Sequence, residues 1–248
     1  MSKNNKKLES LVRPEIRAMS AYHVPEATGL VKLDAMENPF AWPIEMKEEW
    51  LQLLSDAEPN RYPDPSAKEL VASLRHCFGV PSELGVVLGN GSDELIQLIL
   101  MAMHQGASIM APTPSFVMYR HIATSLSLPF VSVPLNGDFS LDVPTMISEI
   151  ERHDPAVIFL AYPNNPTANL FHDEDIRAIL NAANGLVVID EAYQPFARKS
   201  FLNRVSEHEN LIVLRTVSKL GLAGLRLGFL VGHNNLTDDL EKIRLPYN

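Results

Sequence analysis

Short runs of Val, Ile and Leu recur along this chain with amphipathic stretches between several of them, and that alternation limits the fold more than any other feature. The apolar runs fall at residues 85–89, 108–111, 129–134, 156–161, 186–190, 211–215 and 227–231. Residues 142–152 and 173–183 carry apolar side chains at helical spacing. Runs with little alternation are the mark of strands buried on both faces, and strands alternating with helices build a mostly parallel sheet covered on both sides. The expected fold is therefore α/β. In such sheets ligands gather beyond the carboxyl ends of the strands.

Polar clusters sit where that rule wants them. Pro114-Ser-Phe116 follows one run, Pro163-Asn-Asn-Pro-Thr167 another, Asp190-Glu-Ala-Tyr193 closes a third, and Thr216-Val-Ser-Lys219 follows a fourth. Clusters at several strand ends point to one shared site. Ahead of them, Ser66-Ala-Lys-Glu69 reads as a capping box opening a helix to Phe78. Ser92 is expected to cap a helix that runs to His104 and stops at Gly106. Leu95, Ile96, Leu98, Ile99 and Leu100 make that helix apolar on nearly every face, so it belongs in the centre of the domain. Cys77, between apolar neighbours, reads as a core residue.

With 248 residues, 46% of them apolar and 21% charged, the chain can bury a sizeable core. The formal net charge of -9 argues against nucleic acid or an anionic membrane as partner, since either needs a basic face. The single cysteine forbids an internal disulfide and fits a reducing compartment. The eight histidines lack the spacing of a zinc site, so no metal is expected. The first residues, Met1 to Lys7, are basic, but no signal-peptide run follows, and the longest apolar stretch, from Leu95 to Met103, is too short to span a bilayer. A cytoplasmic location is the expectation. Residues 1–42, with Pro14, Pro25 and Pro39, read as an extended arm, and residues 43–248 as the large domain.

Thr216-Val-Ser-Lys219 with the following Leu-Gly-Leu-Ala-Gly-Leu-Arg226 resembles the lysine segment of the class II-related aminotransferases, which use pyridoxal 5'-phosphate (PLP). Asn164-Asn165-Pro166-Thr167 and Asp190-Glu191-Ala192-Tyr193 resemble two further motifs of that family, in the same order. Leu33-Asp-Ala-Met-Glu-Asn38-Pro39, Arg61-Tyr62-Pro63 and Gly89-Asn-Gly-Ser-Asp-Glu94 are similar to the histidinol-phosphate branch. The resemblance spans essentially the whole chain. It implies the fold type I large domain of PLP-dependent transferases, preceded by an arm. It also implies transamination between histidinol phosphate and 2-oxoglutarate or glutamate in histidine biosynthesis.

By this resemblance Lys219 holds PLP through a carbon–nitrogen double bond and later shuttles the substrate proton, which requires a neutral amine. Asp190 keeps the cofactor's ring nitrogen protonated by opposite charge. A helix N-cap is the bland use of such an aspartate. Tyr193 and Asn165 correspond to donors to the phenolic oxygen, and Phe116 to the aromatic that stacks on the ring. Gly91, Ser92 and Asp93 at a helix N-terminus, the Thr216 and Ser218 hydroxyls, and Arg226 would hold the phosphate. Tyr62 corresponds to a tyrosine that reaches the neighbouring subunit's site, which makes a homodimer with shared active sites the expected assembly. Tyr22 and Asn38 would lie near the small-molecule amino donor and 2-oxo-acid substrates.

Three departures from the family carry expectations. The segment from Lys219 to Arg226 is one residue shorter than in many relatives, so the turn must be tighter, with Gly221 supplying backbone freedom. Ala168 stands where glycine is usual, and Asn169 is expected to take the left-handed position instead. The chain stops at Asn248, where relatives continue into a smaller C-terminal domain, so the 248 residues are expected to bind PLP yet to transaminate poorly or not at all. Competing readings are a threonine-phosphate decarboxylase or aromatic amino-acid aminotransferase of the same fold, and a non-catalytic relative. A nicotinamide dehydrogenase is opposed by Glu94 in place of the third glycine of its fingerprint.

Overall fold

The structure is a computed structural model that describes residues 11–24 and 26–247. The basic residues Met1 to Lys7, Pro25 and Asn248 lie outside the described residues. Along the chain come α1 (Pro14–Ala18), α2 (Ile44–Ser55), α3 (Lys68–Phe78), β1 (Gly85–Asn90), α4 (Ser92–Ala102), β2 (Ile109–Thr113), α5 (Met118–Ser125) and β3 (Phe130–Pro134). Then follow α6 (Val143–His153), β4 (Val157–Ala161), α7 (Asp173–Ala182), β5 (Leu186–Asp190), α8 (Gln194–Ala197), β6 (Leu211–Thr216), β7 (Leu227–Gly232) and α9 (Asn234–Glu241).

The strands form one seven-stranded sheet in the order β1-β7-β6-β5-β4-β2-β3. The β2–β3, β2–β4, β4–β5 and β5–β6 pairs are parallel. β7 runs antiparallel to both of its neighbours, so β1 shares the direction of β6 and β7 alone is reversed. The connection from β6 to β7, residues 217–226, is too short for the crossover that a parallel neighbour needs. Reversal has a consequence for chemistry: the amino end of β7 lies on the same edge as the carboxyl ends of the other six strands.

Two apolar cores form, one on each face of the sheet. Successive residues alternate between them: Ile158 and Leu160 join one core, while Val157, Phe159 and Ala161 join the other. All five residues of β4 and all six of β6 are buried, as expected for central strands covered on both sides. α4 packs into the second core through Leu95, Ile96, Leu98, Ile99 and Leu100, which bears out its expected central place.

Four local expectations are corrected. Ser66 does not cap α3: its own N–H and that of Lys68 are bound by the Asp64 carboxylate, a turn that competes with the capping box. Ser92 is the first helical residue of α4, and Gly91 is the capping position; the helix ends at Ala102 rather than His104. Cys77 is exposed, because Val71, Leu74 and Phe78 form the buried stripe of α3 and Cys77 falls off it. Ala168 itself takes the left-handed conformation, at φ 60°, and Asn169 does not. Asn169 is instead held by its side-chain N–H to the Phe139 carbonyl at 2.9 Å. Gly221 has φ 97°, the freedom expected of the tight turn after Lys219.

Candidate active site

A cavity of about 250 Å³ opens at the carboxyl edge of the sheet. Its walls come from the ends of β1, β6, β5, β4 and β2 and from the approach to β7. Ser92, Asp93, Phe116, Asn165, Asp190, Tyr193, Thr216, Ser218, Lys219 and Arg226 all line it. The sheet order sorts these groups. β1, β7 and β6 bring a helix N-terminus, a guanidinium, two hydroxyls and the lysine. β5, β4 and β2 bring the carboxylate, the amide and the aromatic ring.

Lys219 sits in a short 3-10 turn directly after β6 and is half-buried. Its Nζ donates to the Ala35 carbonyl at 2.5 Å and lies 5.2 Å from the Tyr193 ring centroid. Burial lowers its pKa; Glu37 and Asp93 oppose this, and Arg226 adds to it. The direction is the one an amine needs to act as a nucleophile near neutrality.

Asp190 ends β5 and is buried. One carboxylate oxygen accepts the Tyr119 hydroxyl at 2.7 Å, and the other accepts the Ala192 N–H at 3.0 Å. α8 begins later, with Tyr193 at its capping position, so Asp190 caps no helix. Burial pushes its pKa up to about 6, against the pull of the Tyr119 and Ala192 hydrogen bonds, with Asp93 and Glu191 adding to the rise. Such a carboxyl would be strongly stabilised as an anion by a cation placed in the cavity.

The remaining lining groups converge similarly. The Asn165 amide points to the Tyr193 hydroxyl at 3.4 Å. Its neighbour Asn164 is buried and structural: its amide donates to the Pro114 carbonyl and Thr167 hydroxyl and accepts from Ser115, tying the β4 loop to the β2 loop. Thr216 donates to the Leu227 carbonyl at 3.0 Å, so in its 2.9 Å bond with Ser218 the serine hydroxyl is the donor, and that proton is the one that can turn to an incoming anion. Gly91 lies against the arginine: a Cβ there would fall 2.5 Å from Arg226 Nη2, and its φ of 82° suits glycine. Asp93 is partly buried; burial raises its pKa while Arg226 and Lys219 draw it down.

Four expected residues do not line the cavity: Gly91, which stands behind the Arg226 guanidinium, and Tyr62, Tyr22 and Asn38. Tyr62 is 80% exposed and stacks on Tyr247 at 4.4 Å. Tyr22 is exposed, though near enough to Tyr193 to raise that phenol's pKa after burial and Asp190 have done so. Asn38 binds the Phe40 N–H at 3.0 Å and packs beside Gly221, behind the lysine turn. Conversely, Ala35 and Glu37 line the cavity and Tyr119 stands behind it against Asp190, and none of the three was singled out from the sequence. Glu37 lay inside a quoted motif. Tyr119 carries no local signal, because its partner is far away along the chain.

Behind the cavity floor, Glu191 is fully buried and paired with Arg215 at 2.8 Å. Glu191 also accepts from Ser200 and the Phe201 N–H, so the loop after β5 is tied to β6. No cluster of potential metal ligands occurs among the described residues, and no helix there is long and apolar enough to cross a membrane.

The cavity at the edge of this sheet brings a half-buried lysine and a buried carboxylate together, and comparison with known proteins gives the family. Residues 28–248 match the aminotransferase class I and II family, and the chain belongs to it. A protein from Nitrosococcus oceani named histidinol-phosphate aminotransferase 2 is 52% identical, over 96% of this chain and 66% of its own length. A histidinol-phosphate aminotransferase from Chromobacterium violaceum is 50% identical, over 97% of this chain and 68% of its own. Among solved structures, histidinol-phosphate aminotransferase from Sinorhizobium meliloti, in complex with pyridoxal-5'-phosphate, superposes with a TM-score of 0.83 at 24% identity, covering 96% of this chain and 67% of that one. The fold is that of the PLP-dependent aminotransferases, and this chain spans about two thirds of the length of the curated relatives it matches.

Proposed function

We propose that this chain binds PLP through Lys219 and forms the cofactor side of a transaminase. Its reaction moves the amino group of histidinol phosphate to 2-oxoglutarate, giving glutamate, as a cytoplasmic step of histidine biosynthesis. The observation that carries this reading is the sorting of the cavity: anion-binding groups and a half-buried lysine from β1, β7 and β6, faced by a buried carboxylate from β5. A flat ring with an anionic tail and a basic nitrogen fits that donor set.

PLP, when bound, supplies an electron sink for removal of the substrate's Cα proton. The chain's own residues then have separable tasks. Asp190 holds a positive charge on the ring nitrogen, and Phe116 covers the ring face. Asn165 and Tyr193 donate to the phenolic oxygen. The N–H groups of Ser92 and Asp93, the Ser218 hydroxyl and the Arg226 guanidinium would hold the phosphate, with Thr216 steadying Ser218 and Gly91 giving the arginine room. With PLP bound, Lys219 Nζ would be the base that takes up and returns the substrate's Cα proton. Tyr22 and Asn38 approach the substrate from the arm, residues 1–42, while residues 43–248 form the cofactor domain. The exposed Tyr62 serves the cavity of a second copy, so the working unit is a homodimer.

The test is to follow the amino group. Histidinol phosphate labelled with ¹⁵N is given with 2-oxoglutarate to PLP-loaded protein spanning the full length of the relatives, and label is expected in glutamate, with little or none from the 248 residues alone. Carbon dioxide from threonine phosphate, or faster transfer from an aromatic amino acid, would overturn the substrate. PLP capture with no transfer from any donor in the protein of full relative length would overturn the transaminase reading.

A further inference from the structure

Tyr119 sits outside the cavity yet touches its most consequential carboxylate. It lies near the start of α5 and is fully buried. Its ring stacks on Phe159 of β4 at 4.6 Å with planes 7° apart, and meets Phe116 edge-on at 5.5 Å. Its hydroxyl donates to Asp190 Oδ2 at 2.7 Å. One side chain therefore contacts both the aromatic that faces the ligand and the acid at the cavity floor. Burial, reinforced by Asp190, pushes the Tyr119 phenol well above its ordinary pKa, so it stays protonated and can only donate to the carboxylate.

We propose that Tyr119 is a positioning residue that holds Asp190 as an oriented carboxylate aimed into the cavity and fixes Phe116 across from it. The inference deepens the PLP reading and rests on it for the ligand, though the Tyr119–Asp190 link stands in the protein alone. The geometry leaves few alternatives for Asp190. With Oδ2 bound to Tyr119 and Oδ1 to the Ala192 N–H, the carboxylate cannot rotate without breaking one hydrogen bond. The charged groups around it, Asp93 of α4 and Glu191 after β5, are both acidic and favour its neutral form. Tyr119 is the strongest influence against them and against burial. Hydrogen bonds to charged groups are roughly twice as strong as neutral ones, and buried ones are the more sensitive to loss.

Tyr119→Phe keeps both ring contacts and deletes only the donor. In the unliganded 248-residue chain, the ¹³C carboxyl resonance of Asp190, assigned with Asp190→Asn, should titrate about one pH unit or more higher in Tyr119→Phe. PLP should bind roughly tenfold more weakly, with the loss absent in an Asp190→Asn background. An Asp190 titration unchanged by Tyr119→Phe would overturn the proposal. If PLP fails to load on Lys219 even in the parent, the functional reading fails while the titration still decides the role of Tyr119. Should Tyr119→Phe not fold, 3-fluorotyrosine at position 119 gives a stronger donor on the same ring. It should move the Asp190 titration downward, and no movement would contradict the inference.

Discussion

Two regions of this molecule reach the same cavity by opposite physics. The sheet edge delivers Asp190 and Thr216 from β5 and β6, and Ser218 from the turn after β6; all of β6 and all of β5 but Leu186 is buried. The N-terminal region delivers Ala35 and Glu37 from a segment that buries almost nothing: neither α1 nor α2 has a buried residue, and Leu30, Val31, Leu33 and Phe40 are exposed. One region is positioned by the core, and its geometry is set before any ligand arrives. The other is held by a few polar contacts, Lys219 to Ala35 and Arg13 to Ser127 among them. Such weakly anchored segments open at little cost, which suits the entrance of a site better than its floor.

Glu191→Ala should break the comparison most visibly. It leaves Arg215 buried without its partner behind the cavity, and removing one half of a buried pair costs about 3–5 kcal/mol. Denaturant unfolding is the measurement; a loss under about 1 kcal/mol would mean the sheet edge is not organised by that pair. The next effect is opposite in sign. Because the folded chain holds a proton on Asp190 up to about pH 6, whereas an unfolded aspartate releases it near pH 4, the folded state binds more protons in that window. Stability without ligand therefore falls as pH rises from about 4 to about 6. Asp190→Asn should stabilise the unliganded chain at pH 7 by up to about 3 kcal/mol and leave it nearly unchanged at pH 4. Equal effects at both pH values would contradict this.

Ala168 offers a smaller test. Its left-handed backbone strains an alanine, so Ala168→Gly should stabilise by about 1 kcal/mol in thermal unfolding, and destabilisation would show that the Cβ is used. Smallest in stability is the arm. Glu37→Gln should change unfolding by less than about 0.5 kcal/mol. Since Glu37 raises the Lys219 pKa, its loss should nonetheless shift the pH profile of PLP capture toward lower pH. A large stability loss without that shift would make the arm structural.

This contrast also explains what was legible in the sequence. The strands were readable because central strands of a covered sheet must be continuously apolar, and six of the seven runs carry that signature in one shared direction. The reversal of β7 left no trace in its composition; only the brevity of residues 217–226 could have shown it. Asp190, Lys219 and Asn165 were readable because each ends or follows a strand at the one edge where polar groups can converge, whereas Arg226 came by resemblance. Tyr119 was not, since a buried tyrosine among Phe116, Met118 and Ile122 looks like any core aromatic until Asp190 is brought to it. Tyr22, Tyr62 and Asn38 were placed by resemblance alone, and in a single chain they stand outside the cavity. Cys77 and Ser66 failed for a common reason: a local pattern was read without the neighbour that decides it, the buried stripe of α3 in one case and Asp64 in the other.

The central claim is that Lys219 is the residue that holds PLP. Borohydride reduction of the PLP-treated chain locks the cofactor onto whichever lysine carries it, and peptide mass mapping then locates it. The account predicts the label on the peptide containing Lys219 and its absence in Lys219→Ala. Label on another lysine, or equal labelling of the variant, would contradict it.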